Sequence, residues 1–328
     1  MSLADDLPVG LPIDPVPESE WNAWRRQIID DFARHVFGPT PELDVTVSLE
    51  LLDRQTAFGA GTRSRYALTI TASRGSHTIE LLVFLPNTDN APVFVGLNFD
   101  GNDDAEQKWP IRLLLEHGFG VATVHAADLE PDRADGAADG VRSILPVGDG
   151  RWGTIGVWAW GLSLVRAQLA DLAHVRDDAI IAIGHSRMGK AALWAAAQDD
   201  RFGAVISNES GCSGDSLHRH PSGEDVAAIT SRFPYWFTPG YTDYAGREHD
   251  LPVDQHQLLA SIAPRPLYVS SAAADDWADP VGQFLAVLAA RRIQQDRGPI
   301  GFHLRPGGHD LTIEDWSHFM SFLNTHLG

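Results

Sequence analysis

Ile180-Ile181-Ala182-Ile183-Gly184-His185-Ser186-Arg187-Met188-Gly189-Lys190 joins an unbroken apolar run to a glycine-flanked serine, and an alanine-rich stretch follows. A short apolar run of β-branched residues reads as a buried strand, and the alanines read as a helix. Between them, a sharp strand-to-helix turn would lift Ser186 above the edge of a sheet, where a hydroxyl can act as a nucleophile. Gly184 permits close backbone approach at the turn, and the Arg187 N–H at the start of the helix is placed to stabilise an oxyanion. The second glycine, Gly189, stands one place later than in G-x-S-x-G. The bare pattern is therefore weak, and its strand and helix context carries the reading; the alternative is a solvated serine in a glycine-rich turn.

Outward from this turn, short apolar strands alternate with helical stretches from Pro92 onward, which predicts βαβ units and a parallel sheet. Strands are expected at Val93–Leu97, Gly120–His125, Ala179–Gly184, Ala204–Ser207, Leu267–Ser270 and Gly301–Leu304. Helices are expected at Trp109–Glu116, Gly156–Leu172, Lys190–Ala197, Val281–Ile293 and Ile313–His326. Upstream, Val45–Leu52, Tyr66–Thr71 and Ile79–Leu85 are β-rich and punctuated by Gly59, Gly61 and Gly75, as in an antiparallel entry to the sheet. Before them, Trp21, Trp24, Ile28, Phe32 and Val36 recur at helical spacing within Glu18–Phe37. With no repeat and no low-complexity linker, the chain is expected to form one α/β domain over 1–328, with 1–40 packed on it as an extension.

Composition narrows the function classes. The chain of 328 residues is 44% hydrophobic, enough for a large core, and its 25 basic against 44 acidic residues give a net charge of -19. That balance argues against general binding to nucleic acid or anionic membranes. The one cysteine, Cys212, excludes an intramolecular disulfide and a thiolate metal cluster. Met1-Ser2-Leu3-Ala4-Asp5-Asp6 has neither the basic nor the apolar region of a secretory leader, so the chain as it stands is expected to be cytoplasmic, or secreted or periplasmic where a leader has been removed. No apolar run approaches the roughly 20 residues that span a bilayer. The oligomeric state is not legible in the sequence.

A serine hydroxyl needs a base to take its proton. Of the 14 histidines, His309 is the best placed, in Arg305-Pro306-Gly307-Gly308-His309-Asp310, where a last strand gives way to a glycine-rich loop. His218 and His220 lack a third ligand at recognisable spacing, so no metal site is expected there. Two carboxylates compete to orient the base: Asp275, soon after Leu267–Ser270, and Glu209, just after Ala204–Ser207. Both satisfy the chain order serine, acid, histidine. Asp276 and Asp279 read as strand-end or helix-capping carboxylates.

Several blocks together carry a family resemblance. Gly184-His185-Ser186-Arg187-Met188-Gly189-Lys190 resembles the Gly-Cys-Ser-Arg-x-Gly-Lys nucleophile motif of the glucuronoyl esterases, carbohydrate esterase family 15. Asn208–Gly214, Arg232–Phe237, Leu251–His256, Asp275–Pro280 and Arg305–Leu311 resemble further blocks of that family, in family order. Two departures stand out: His185 replaces the usual cysteine, and the stretch between Ala290 and Gly301 is short. The resemblance implies an α/β-hydrolase fold, a three-layer αβα sandwich with a mostly parallel central sheet. It implies Ser186 as nucleophile, His309 as base, Arg187 at the oxyanion, and an acid at Glu209 as in fungal members or at Asp275 as in many bacterial ones. It also implies that Lys190, Glu224 and Trp277 bind the uronic acid sugar, with Trp236 in an aromatic block near the cleft. The implied reaction is hydrolysis of an ester whose acyl group is (4-O-methyl-)glucuronic acid, with no metal or organic cofactor and a small-molecule or oligosaccharide uronate ester as partner. A general carboxylesterase or acetylesterase would use the same residues, and a catalytically silent hydrolase fold serving as a binding protein is the remaining alternative.

Overall fold

The computed structural model describes residues 7–8, 10–146, 150–220 and 222–327; the leader reading at 1–6 lies outside them. Among the described residues, nine strands form one sheet: β1 (Thr46–Ala57), β2 (Gly61–Ala72), β3 (Gly75–Pro86), β4 (Ala91–Asn98), β5 (Gly120–His125), β6 (Val175–His185), β7 (Ala204–Asn208), β8 (Leu267–Ala272) and β9 (Ile300–Arg305). Their spatial order is β1-β2-β3-β5-β4-β6-β7-β8-β9. The pairs β1/β2, β2/β3 and β3/β5 are antiparallel and the rest parallel, as expected of an antiparallel entry to a parallel sheet.

The central strands are apolar throughout because both faces are covered. In β6, Ile180 and Ala182 face one core, and Ile181 and Ile183 face the other. Val93 and Val95 of β4 likewise alternate with Phe94. One face is covered by helices Thr154–Ala170, Arg187–Gln198 and Pro280–Gln294, and the other by Ile111–Glu116 and Ile313–His326. This is the expected three-layer αβα arrangement of the α/β-hydrolase fold. The N-terminal helix, Trp21–Phe32, buries Trp21, Ile28 and Phe32 in the first core, where the Phe32 ring meets Trp194 of the helix that follows Ser186.

Where bounds differ from expectation, the cause is physical. β1 runs five residues past Leu52 through the polar Asp53-Arg54-Gln55-Thr56 because an edge strand needs only one partner and one ladder of hydrogen bonds. Helix Asn102–Lys108 was not expected, since only Asn102 and Ala105 of its seven residues are buried and it carries no apolar period. The last helix matches its expected bounds, with Thr312 and Asp315 forming a reciprocal cap at its start.

Candidate active site

β6, β7, β8 and β9 are consecutive neighbours, and the loops leaving their carboxyl ends carry Ser186, Glu209, Asp275 and His309. Residues scattered over more than 120 positions meet there because four parallel strands end side by side.

Ser186 sits between β6 and helix Arg187–Gln198 with φ 56° and ψ -131°, a conformation costly for any residue with a Cβ. Its N–H is held by the Asn208 carbonyl at 2.9 Å. The turn is tight enough that a Cβ on Gly184 would lie 2.1 Å from the Met188 carbonyl oxygen, and one on Gly189 would lie 2.8 Å from the Ser210 Cβ. This explains the displaced second glycine: the helix meets the loop after β7 at the position of Gly189.

His309 turns Nδ1 toward two carboxylates, Asp275 Oδ2 at 2.6 Å and Glu209 Oε2 at 3.2 Å. Both acids named from the sequence therefore reach the same nitrogen. Their charge keeps the proton on Nδ1, so Nε2 is the nitrogen left to accept another. Burial works to lower the His309 pKa, but the bonds and charges of Asp275 and Glu209 outweigh it and raise it to about 9. The two acids differ. Burial pushes the Glu209 carboxyl up despite its bonds to His309 and Arg305, whereas on Asp275 the same burial is overcome by its shorter bond to His309, and its pKa falls.

Glu209 is held from behind. Arg305 donates to Glu209 Oε1 at 2.5 Å, to Asp315 Oδ2 at 2.9 Å, and to the carbonyls of Pro306 and Gly308 at 3.1 Å. It thus ties the loop bearing His309 to the second acid. The role of Arg305 was not singled out from the sequence, because nothing local marks an arginine whose partners are 96 residues upstream and ten downstream. Glu209, Asp275 and His309 also offer ligand atoms within 4.8 Å of one another. Those atoms are engaged with one another and with Arg305, through His309 Nδ1 to both carboxylates and the guanidinium to Glu209.

The remaining expected residues gather at a cavity of about 190 Å³ lined by Ser186, Arg187, Lys190, Glu209, Glu224, Trp236, Trp277 and His309 among others. Lys190 is buried and donates to the Ser210 carbonyl. Glu224 and Trp277 clamp each other through Glu224 N–H to Trp277 O at 2.9 Å and Trp277 Nε1–H to Glu224 Oε1 at 3.2 Å. The indole N–H that the resemblance offers to a sugar is thus engaged by Glu224. Burial raises the Glu224 pKa, opposed by the charge of Lys190 and the bond from Trp277.

Arg187 lies 2.9 Å from Asp132 Oδ2 and between the rings of Phe99 and Trp236. Asp132 also accepts from Tyr235 and from Trp236 Nε1. Phe99 and Asp132 escaped the sequence reading because they lie in polar loops with no motif. His218 bonds Tyr241 at 2.7 Å, and His220 bonds Asp279 at 2.7 Å. Asp279 caps helix Pro280–Gln294 through the Gly282 N–H, as expected.

Fold and site geometry define an α/β-hydrolase in which a strained serine and an acid-paired histidine line one cavity. Among known proteins, the family described as "Glucuronyl esterase, fungi" matches residues 68–298. A carbohydrate esterase from an unknown prokaryotic organism is 32% identical, over 94% of this chain and 85% of its own. The chain belongs to the glucuronyl esterase family. Among solved structures, a glucuronoyl esterase from Solibacter usitatus superposes with a TM-score of 0.87 at 31% identity, covering 99% of this chain and 100% of that one. A promiscuous CE15 esterase from a marine bacterial metagenome gives 0.88 at 30% identity, covering 96% of each chain.

Proposed function

We propose that the chain is a serine esterase that hydrolyses esters of (4-O-methyl-)glucuronic acid with alcohols through an acyl-enzyme. The observation that carries this reading is the shared cavity: a serine and its base open onto the same space as a buried lysine, a glutamate and an exposed tryptophan. A ring rich in hydroxyls needs such polar partners on the acyl side, where a fatty acyl chain would need an apolar slot.

His309 Nε2 takes the Ser186 proton as Oγ bonds to the C6 carbonyl carbon, and the carbonyl electrons move onto oxygen. The Arg187 N–H, in a first helical turn where no intrahelical acceptor exists, donates to that oxyanion. Collapse breaks the bond to the alcohol oxygen, which leaves with the proton from His309. Water then repeats the sequence on the acyl-enzyme and releases the uronic acid. Asp275 and Glu209 hold the imidazole and stabilise its cation throughout.

Hydrolysis of benzyl glucuronate measured beside 4-nitrophenyl acetate tests the substrate class. Lys190→Ala or Glu224→Ala is expected to lower kcat/KM on the glucuronate by about ten- to a hundredfold, on the order of 1–3 kcal/mol for a lost buried partner, and to spare the acetate. Equal losses on both esters, or acetate hydrolysis with no glucuronate cleaved, would leave only a general esterase. The kinship with an esterase described as promiscuous is what keeps that second reading in view.

A further inference from the structure

Among the described residues that line the Ser186 cavity, one cation has no oxygen partner. Arg187 lies against Asp132, and Lys190 donates to the Ser210 carbonyl. Arg232, the last residue of helix Val226–Arg232, also lines the cavity. Its guanidinium carbon stands 5.1 Å from the centre of the Trp277 ring, and among the described residues no carboxylate or carbonyl accepts from its side-chain N–H groups.

The acids nearby are committed elsewhere. Asp225 caps the other end of the same helix through the Ala228 N–H, and Glu224 is bonded to Trp277. Glu224 receives from Arg232 only the pull of its charge, which with that of Lys190 opposes the rise that burial imposes on the Glu224 pKa. The ring contact steadies the cation, while a planar fork of donors is left for a group that is not part of the chain.

The place of Arg232 says where that group comes from. Lys190 is buried, Glu224 half-buried, Trp277 47% exposed and Arg232 exposed, so the polar wall runs from beside Ser186 out to the mouth. At about 190 Å³ the cavity is small beside the roughly 300–1,000 Å³ of ordinary ligand pockets, so it suits the esterified ring and leaves the next sugar at the mouth. A guanidinium fork matches a carboxylate, through two parallel N–H···O bonds, better than it matches single hydroxyls. With a net charge of -19 the protein repels an acidic saccharide as a whole, and a cation at the mouth is the local element such a substrate needs.

We propose that Arg232 is a specificity residue that binds a second, unesterified carboxylate on the sugar next to the esterified uronic acid, so that the enzyme favours esters carried on acidic saccharides. The inference rests on the reading of the Ser186 cavity as a uronate ester site and narrows its substrate.

Two benzyl esters test it, each with the esterified glucuronic acid linked through C1 to a second ring, which is glucuronate in one and glucose in the other. The pair differs only in a carboxylate against a hydroxymethyl group, so any effect of a variant on Trp277, Glu224 or the chemistry cancels in the ratio of kcat/KM. Wild type is expected to favour the acidic ester. Arg232→Gln should lower the acidic-to-neutral ratio about threefold, the scale of a partly exposed ion pair, and Arg232→Glu about tenfold, because repulsion replaces attraction. Arg232→Lys keeps the charge without the fork and should fall between wild type and Arg232→Gln. The side chain is exposed at the end of its helix, so these variants should fold. Turnover of both esters at a ratio indifferent to the charge at position 232, or a wild type that favours the neutral ester, overturns this proposal alone. No turnover of either ester by wild type overturns the uronate reading, and the proposal falls with it.

Discussion

His309 Nδ1 faces two carboxylates where one suffices to orient an imidazole. If Asp275 and Glu209 share the task, each single change to alanine leaves measurable turnover, and the double change costs far more than the two losses combined. A Glu209→Ala variant silent both alone and in the Asp275→Ala background would return Glu209 to a purely structural place beside Arg305. The same pair sets the pH response. With the His309 pKa raised to about 9, the base form is scarce at neutral pH, and kcat/KM should climb with pH through that value. Glu209→Gln removes one of the charges that raise it, so the acid limb should shift to lower pH; a shift upward would contradict the assignment. Ser186→Ala should abolish turnover and fluorophosphonate labelling with little change in melting temperature, because the hydroxyl supplies chemistry and little packing.

The elbow is the element on which this residue chemistry depends. It holds Ser186 at positive φ, and that strain persists only because β6, the helix behind it and the loop after β7 leave it no room to relax. Gly184→Ala would drive a Cβ into the Met188 backbone, where no side chain can yield, and should cost ~3 kcal/mol or more. Gly189→Ala meets a Ser210 Cβ at 2.8 Å, a milder clash, and should cost less. Thermal melts of the two variants check the order. A Gly184→Ala protein as stable as wild type would mean that the turn is looser than described.

At the scale of the whole molecule, stability and activity should run in opposite directions with pH. His309 in the fold has a pKa of about 9, above its usual 6.5, so the stabilisation from its charge is complete below about 6.5 and lost as pH rises through 9. Buried His218, raised to about 9 beside Asp254, has the same sign. The melting temperature is therefore expected to fall from pH 6.5 to 9 while kcat/KM rises, and a melting temperature that rises across that window would refute the account. The first helix, the antiparallel entry and the alternating strands and helices were legible because burial on one or two faces imposes a period on the chain. So were the serine turn and the histidine loop, each marked by glycine where a turn departs from regular structure. The sequence could nominate Glu209 and Asp275 but not choose between them, and it gave no sign of Arg305 as their staple or of Asp132 beside Arg187. Those relations join residues tens of positions apart, and no local period or spacing encodes them. They arise only when β6, β7, β8 and β9 lie side by side and bring their loops into one low-dielectric site, where a bond of 2.6 or 3.2 Å decides how a charge is shared.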